Sequence, residues 1–259
     1  AVVPSGPYTV VDFHYAGGVM NVMKMLESKL YTDVPSMYGN TWADMLSRVK
    51  AQENKVIHSL EKPLFNEPGL KILRGNLSPN GAIVRPTAVY DEVKYMKGKA
   101  KVFEGDRPAF EAIMAGEIVP GDIIVIRYEG CKGAPGMKEL MLSIDALIGL
   151  GLDKSVGLIS DARFSGFNYG AIIGHVSPEA YDGGNIALVE NGDEIVIDIL
   201  NGEVSMLVSE EELERRRAAW VCPPLKEEKG CLNIFAKMCR PAEEGGAMQP
   251  WDLDAKFHR

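Results

Sequence analysis

The stretch Ile123-Ile124-Val125-Ile126-Arg127-Tyr128-Glu129-Gly130-Cys131-Lys132-Gly133-Ala134-Pro135-Gly136-Met137 decides the fold class. An apolar, β-branched run of strand length empties into a polar loop dense in glycine, and a helical pattern follows it. The same order recurs at Val156-Gly157-Leu158-Ile159, which runs into Asp161-Ala162-Arg163-Phe164-Ser165-Gly166. Loops that leave strands and feed helices are where α/β proteins place ligand sites, because backbone amides and helix N-termini point outward there. From spacing alone the glycines are accounted for equally well as tight turns.

Working outward, further strands are expected at Ala82 to Val84, Ile186 to Val189, Glu194 to Ile199 and Val204 to Val208. Asp106 reads as the cap of a helix over Arg107 to Ala115, with Gly116 at its end. A second helix is expected over Met137 to Ile148. Ser209-Glu210-Glu211-Glu212 reads as a capping box for a third, running to about Trp220. Upstream, Val19, Val22, Met23, Leu26 and Leu30 repeat at helical spacing after Gly17-Gly18, and another helix is expected over Thr41 to Val49. The periodicity breaks between Lys50 and Gly69, around Pro63 and Pro68, so residues 1–69 and 70–259 are expected to be separate domains. The architecture is an α/β domain behind the remnant of another.

Composition narrows the function classes. The 259 residues are 46% hydrophobic and carry a net charge of −8, which disfavours nucleic acid and anionic membrane surfaces as partners. No apolar run approaches the ~20 residues of a membrane-spanning helix. Cys131, Cys222, Cys231 and Cys239 contain no CxxC pair, which argues for reduced thiols and a cytoplasmic location. The start, Ala1-Val2-Val3-Pro4, lacks both a signal-peptide pattern and an initiator Met, so the chain is expected to be cut from something longer.

Several ordered motifs carry a resemblance. They are Asp12-Phe13-His14 with Ala16-Gly17-Gly18, Gly75-Asn76-Leu77-Ser78-Pro79-Asn80-Gly81-Ala82, Arg127 to Met137, Asp161 to Gly166, Gly174-His175-Val176-Ser177-Pro178-Glu179-Ala180, and Glu210 to Trp220. Together they resemble the dihydroxy-acid dehydratase and phosphogluconate dehydratase family over roughly Tyr8 to Trp220. The resemblance implies a swivelling β/β/α domain from about Leu70 onward, with a barrel-like mixed sheet and flanking helices, preceded by a helical remnant of an α/β amino-terminal domain.

It also implies a reaction: loss of water from a 2,3-dihydroxy acid or sugar acid (aldonate), giving an enol that tautomerises to the 2-oxo acid. Removing the weakly acidic C2 proton needs a base, and expelling the C3 hydroxyl needs a Lewis acid. By resemblance the base is Ser165, and Glu139, at the start of the expected Met137 helix, is the Mg2+ ligand; Glu129 is second choice. Arg163, His175 and Ser177 are candidate substrate-binding residues. Without the family, Ser165 reads as a turn residue and Glu139 as a solvated helix carboxylate.

The family's iron-sulfur cluster ligands, and the other groups of its magnesium site, belong to an amino-terminal domain largely absent from this sequence. None of the four cysteines replaces them. Partners expected from the resemblance are a small hydroxy-acid substrate, the missing amino-terminal domain and a second copy of the chain, and the isolated chain is expected to be inactive. The serine motif continues Gly166-Phe167-Asn168-Tyr169 where branched-chain dihydroxy-acid dehydratases usually carry a Gly-Thr sequence. That leaves the branched-chain enzyme of amino-acid biosynthesis as an alternative, and a non-catalytic acid-binding or interaction module as another. The tail Gly245 to Trp251 lies outside every motif.

Overall fold

The computed structural model describes residues 1–3 and 5–248. The chain divides into two compact units, Ala1–Pro68 and Gly69–Arg259. Among its described residues the first unit holds three short helices, α1 (Val10–Tyr15), α2 (Gly18–Met25) and α3 (Trp42–Leu46). Thr9 and Thr41 each form a full capping box, with Asp12 and Asp44 three residues on. Leu46 and Ile57 are the buried aliphatic side chains of this unit, whereas Val10, Tyr15, Tyr31, Met37 and Tyr38 are exposed.

The second unit is a closed barrel of eight strands, β1 (Lys71–Gly75), β2 (Ser78–Val84), β3 (Tyr95–Phe103), β4 (Ile123–Ile126), β5 (Gly157–Ser160), β6 (Ile172–Ser177), β7 (Glu194–Asp198) and β8 (Glu203–Met206). The neighbours run β1-β2-β6-β5-β4-β3-β7-β8, and a parallel contact between Arg74 and Glu203 closes the ring. β3, β4, β5 and β6 are mutually parallel and the hairpins at either side are antiparallel, so the expected barrel-like mixed sheet is present. The run Ile123 to Ile126 is continuous because both its faces are covered. Ile123 and Val125 point into the barrel with Leu73, Ile159, Ile197 and Val204. Ile124 and Ile126 point outward, against α4 (Asp106–Met114) and α5 (Leu142–Gly149) through Ile113, Ile144 and Leu147. The remaining helices are α6 (Glu210–Ala219) and α7 (Cys231–Met238). No helix among the described residues is long and apolar enough to cross a membrane.

Four local expectations are corrected. The segment Asn185–Leu188 is a 3-10 turn and not a strand; Ile186, Ala187 and Leu188 are all buried, and a fully buried apolar run carries no alternation to tell strand from helix. The helix expected from Met137 begins at Leu142, because Met137 has φ 51° and Glu139 forms a bridge with Arg163. Asp106 does not cap its own helix, whose cap is Gly105; its carboxylate accepts the N–H groups of Met141, Leu142 and Ser143 at 3.3, 3.1 and 3.1 Å and so caps α5. At Ser209 only half the capping box forms. The hydroxyl accepts from Glu212 N at 3.3 Å, while the Glu212 carboxylate pairs with Arg215 and Arg216. β1, the whole of β3, β6, α1 and α7 went unmarked by the strand and helix patterns. The tail from Gln249 lies outside the described residues.

Candidate functional site

The loops leaving β4 and β5 emerge side by side, since Ile126 pairs with Ser160 at the carboxyl ends of parallel strands. Where a barrel's parallel strands end, side chains from neighbouring loops converge. The first loop is seated on two buried carboxylates. Asp161 accepts the N–H groups of Tyr128 and Glu129 at 3.1 and 3.0 Å, and that of Ala180 at 2.9 Å. Burial raises its carboxyl to about 6, against the pull of those three donors. Glu179 accepts from Lys132 N at 3.0 Å and Gly133 N at 2.9 Å, and burial raises it to about 7. Trp220 Nε1 donates to the Tyr128 hydroxyl at 3.0 Å, and Lys226 Nζ donates to Tyr128 O at 2.7 Å.

Three non-glycine residues adopt positive φ: Tyr128 (62°), Met137 (51°) and His175 (56°). Each such residue costs on the order of 1–3 kcal/mol and persists only where its surroundings impose it. All three lie on the loop after β4 or on β6, next to the residues singled out from sequence.

Glu139 and Arg163 are adjacent across the two loops. Their backbones form a parallel bridge, with Leu140 N donating to Arg163 O at 3.0 Å. Glu139 is exposed, and its carboxylate takes part in no hydrogen bond or ion pair among the described residues. Glu129, by contrast, is buried and ion-paired with Lys226 at 2.9 Å and Lys138 at 3.2 Å. Ser165 follows Arg163 by two residues and is half-buried; its Oγ accepts from Phe167 N at 3.2 Å. Gly166 O accepts from Arg85 Nη1, and the Nε and Nη2 atoms of Arg85 are buried without a partner.

His175 N donates to Ala162 O at 2.8 Å, which ties β6 to the Ser165 loop. Burial, and then the nearby Arg163 charge, lower its imidazole below the usual range, so the ring is neutral near pH 7. It borders a cavity of about 300 Å³ that Arg74, Asn80, Gly81 and Glu243 also line. Ser177 is buried, and its hydroxyl donates to the Glu243 carboxylate, which also accepts from Asn80 Nδ2 at 2.8 Å. Ser177 therefore sits under the 3-10 turn Ala242–Glu244.

For a hard divalent cation this chain presents Glu139 as one open carboxylate, which fits a site whose remaining ligands lie elsewhere. No group of three His, Cys, Asp or Glu side chains converges as a metal site among the described residues. The cysteines are unpaired: Cys131 and Cys239 are buried, and burial pushes the Cys131 thiol up to about 11, while Cys222 and Cys231 are exposed. Such thiols do not fit a cluster, which needs thiolates on one centre. Sequence reasoning missed Asp161 and Glu179 as loop anchors, Arg85 under the serine turn and Glu243 on Ser177. Asp161 and Glu179 lay inside quoted motifs, but nothing in their spacing tells a buried anchor from a solvated acid.

Comparison with known proteins bears on the same segments. The family model for the dihydroxy-acid/6-phosphogluconate dehydratase C-terminal domain matches residues 55–246. A dihydroxy-acid dehydratase of Clostridium novyi is 46% identical over 249 residues, covering 95% of this chain and 45% of the relative. Proteins of the same name from Methanococcus aeolicus and Pyrobaculum neutrophilum are 41% and 44% identical, over 95% and 96% of this chain and 44% and 45% of theirs. The chain thus spans about half the length of the curated relatives it matches. On the barrel, its ordered motifs and this match, the chain belongs to the dihydroxy-acid/6-phosphogluconate dehydratase family, whose C-terminal domain it carries.

Proposed function

We propose that the chain is the carboxy-terminal part of a hydro-lyase that converts a 2,3-dihydroxy acid, or an aldonate with the same two hydroxyls, into the 2-oxo acid. The observation that carries this reading is the backbone pairing of Glu139 with Arg163, two residues before Ser165, at the carboxyl ends of two adjacent parallel strands. That pairing sets an exposed carboxylate beside an arginine whose chain reaches the serine two residues later, which supports the reading. The name shared by the relatives favours a dihydroxy acid, and the branched-chain substrate is compatible with it.

In the reaction Ser165 Oγ, as its alkoxide, takes the C2 proton, and that proton leaves with the C3 hydroxide as water, which restores the alkoxide. The electron pair left on C2 forms the C2=C3 bond as the C3–O bond breaks, and the enol gains a proton at C3 on becoming the 2-oxo acid. A neutral serine is a weak base. Phe167 N–H, already directed at Ser165 Oγ, stabilises the alkoxide form. Arg163, exposed beside Glu139, attracts the substrate carboxylate. His175, held neutral, supplies a hydrogen bond to a hydroxyl without adding charge. Glu139 would hold a magnesium ion together with ligands outside this chain, which would supply neutralising charge to the substrate, and an iron-sulfur cluster, with no ligand in this chain, would supply Lewis acidity for loss of the hydroxyl.

The scarcity of buried aliphatic side chains in Ala1–Pro68 supports reading residues 1–69 as part of an amino-terminal domain that the rest of the relatives' length completes. We further propose a cytoplasmic homo-oligomer that is inactive as the isolated chain. The test is to assay the full-length protein, loaded with magnesium and iron, for 2-oxo acid formation from 2,3-dihydroxy acids and aldonates, with sedimentation of the same sample. Turnover of at least one class is expected. No turnover of either by metal-loaded protein would replace this reading with that of a non-catalytic acid-binding module.

A further inference from the structure

Arg85 follows β2 and lies under the turn that carries Ser165. Its Nη1 donates to Gly166 O, while Nε and Nη2 are buried and meet no acceptor. Those two nitrogens form one edge of the guanidinium, the edge whose parallel N–H groups match the two oxygens of a carboxylate. Neither nitrogen meets a carboxylate among the described residues. Burial lowers its pKa, which is the direction for a cation lacking a counter-charge. Arg127 shows the contrast: its Nε is also unpartnered, but its other nitrogens meet Ala187 O at 2.7 Å, Val189 O at 3.1 Å and Glu104 at 3.2 Å. Two buried guanidinium N–H groups with no acceptor are costly unless an anion completes them.

We infer that Arg85 binds the substrate carboxylate in the Ser165 site, its Nε and Nη2 donating to the two carboxylate oxygens when the Ser165-Gly166-Phe167 turn lifts. This deepens the proposed dehydratase reading and rests on it for the identity of the acid. The turn is suited to the movement: Gly166 and Phe167 are exposed, and Arg85 itself is the link that holds Gly166 O down. A carboxylate that takes the fork places C2, the carbon bonded to it, next to the serine turn. Arg163 then attracts the acid from solvent, and Arg85 holds it.

The experiment is calorimetric titration of the full-length protein with glycerate and gluconate, and with glycerol and glucitol as uncharged counterparts. Wild type is expected to bind the acids and not the polyols. Arg85→Lys keeps the charge but loses the fork and is expected to weaken acid binding about tenfold or more; Arg85→Ala is expected to weaken it about a hundredfold, with KM rising in parallel. Added guanidinium should restore binding to Arg85→Ala and not to Arg85→Lys. If Arg85→Ala fails to fold, judged by its melting curve, Arg85→Lys decides the matter. Unchanged affinity in a folded variant, or a wild type that binds neither acid, overturns the inference. Acid binding that depends on Arg85 without 2-oxo acid formation would sink the dehydratase reading alone. Turnover with an unchanged KM in the Arg85 variants would sink the Arg85 assignment alone.

Discussion

The two loops that carry the candidate site are built to opposite rules. The loop after β4 is pinned from beneath, with four of its backbone N–H groups ending on the buried carboxylates of Asp161 and Glu179 and its Tyr128 clasped by Trp220 and Lys226. The loop after β5 shows Arg163, Gly166 and Phe167 to solvent, and Arg85 grips its serine turn by one carbonyl. One loop is fixed and carries the proposed metal ligand, Glu139; the other is lightly held and carries the proposed base, Ser165. A site that must bind an acid, release a different one and still hold a cation in place has use for both kinds.

Removing the anchor should break the contrast most severely. Asp161→Ala leaves three buried N–H donors without an acceptor, and a loss of about 3–5 kcal/mol in urea unfolding is expected. Gly133→Ala comes next. An added Cβ would meet the Tyr128 carbonyl carbon at 2.7 Å, so backbone must shift, and about 1–3 kcal/mol should be lost.

Glu179 gives a smaller, pH-dependent effect. Its folded value of about 7 lies above its ordinary 4.5, so the folded state binds the proton more tightly than the unfolded chain. The stability from this group is complete below the unfolded value and lost as pH rises through about 7. Wild type should therefore lose stability relative to Glu179→Gln between roughly pH 5 and 8, read as the difference in Tm across that range. Smallest of all is Gly166→Ala in the serine turn. Its nearest new neighbour is Arg85 Nη1 at 3.8 Å and its backbone is not left-handed, so a change within about 0.5 kcal/mol is expected. Equal losses at Gly133 and Gly166 would erase the difference between the loops.

The barrel's parallel strands were legible because Ile123 to Ile126 and Val156 to Ile159 are unbroken apolar runs bounded by turn residues. β3 was not, since its centre, Lys97-Gly98-Lys99-Ala100-Lys101, is built from residues of low strand preference and pairs with β7 at a half-exposed margin. Helix α5 was placed too early because its cap, Asp106, lies far away in sequence, beyond the reach of any local pattern. Of the candidate site residues, Ser165 and Arg163 lie in an ordered motif and Glu139 comes from the family resemblance, and the backbone brings Glu139 and Arg163 together. The anchors and Arg85 went unseen for a common reason. Whether an Asp, Glu or Arg is buried against backbone amides or solvated depends on tertiary packing, to which spacing is blind.

The central claim, that Ser165 is the base of a dehydration at this barrel end, is tested most directly by Ser165→Ala in the full-length, metal-loaded protein. With Tm and acid affinity held near wild type, kcat for 2-oxo acid formation should fall by about 10²–10⁴-fold, the usual contribution of a positioned base. A folded Ser165→Ala protein that dehydrates the same acid within about tenfold of the wild-type rate would contradict the account.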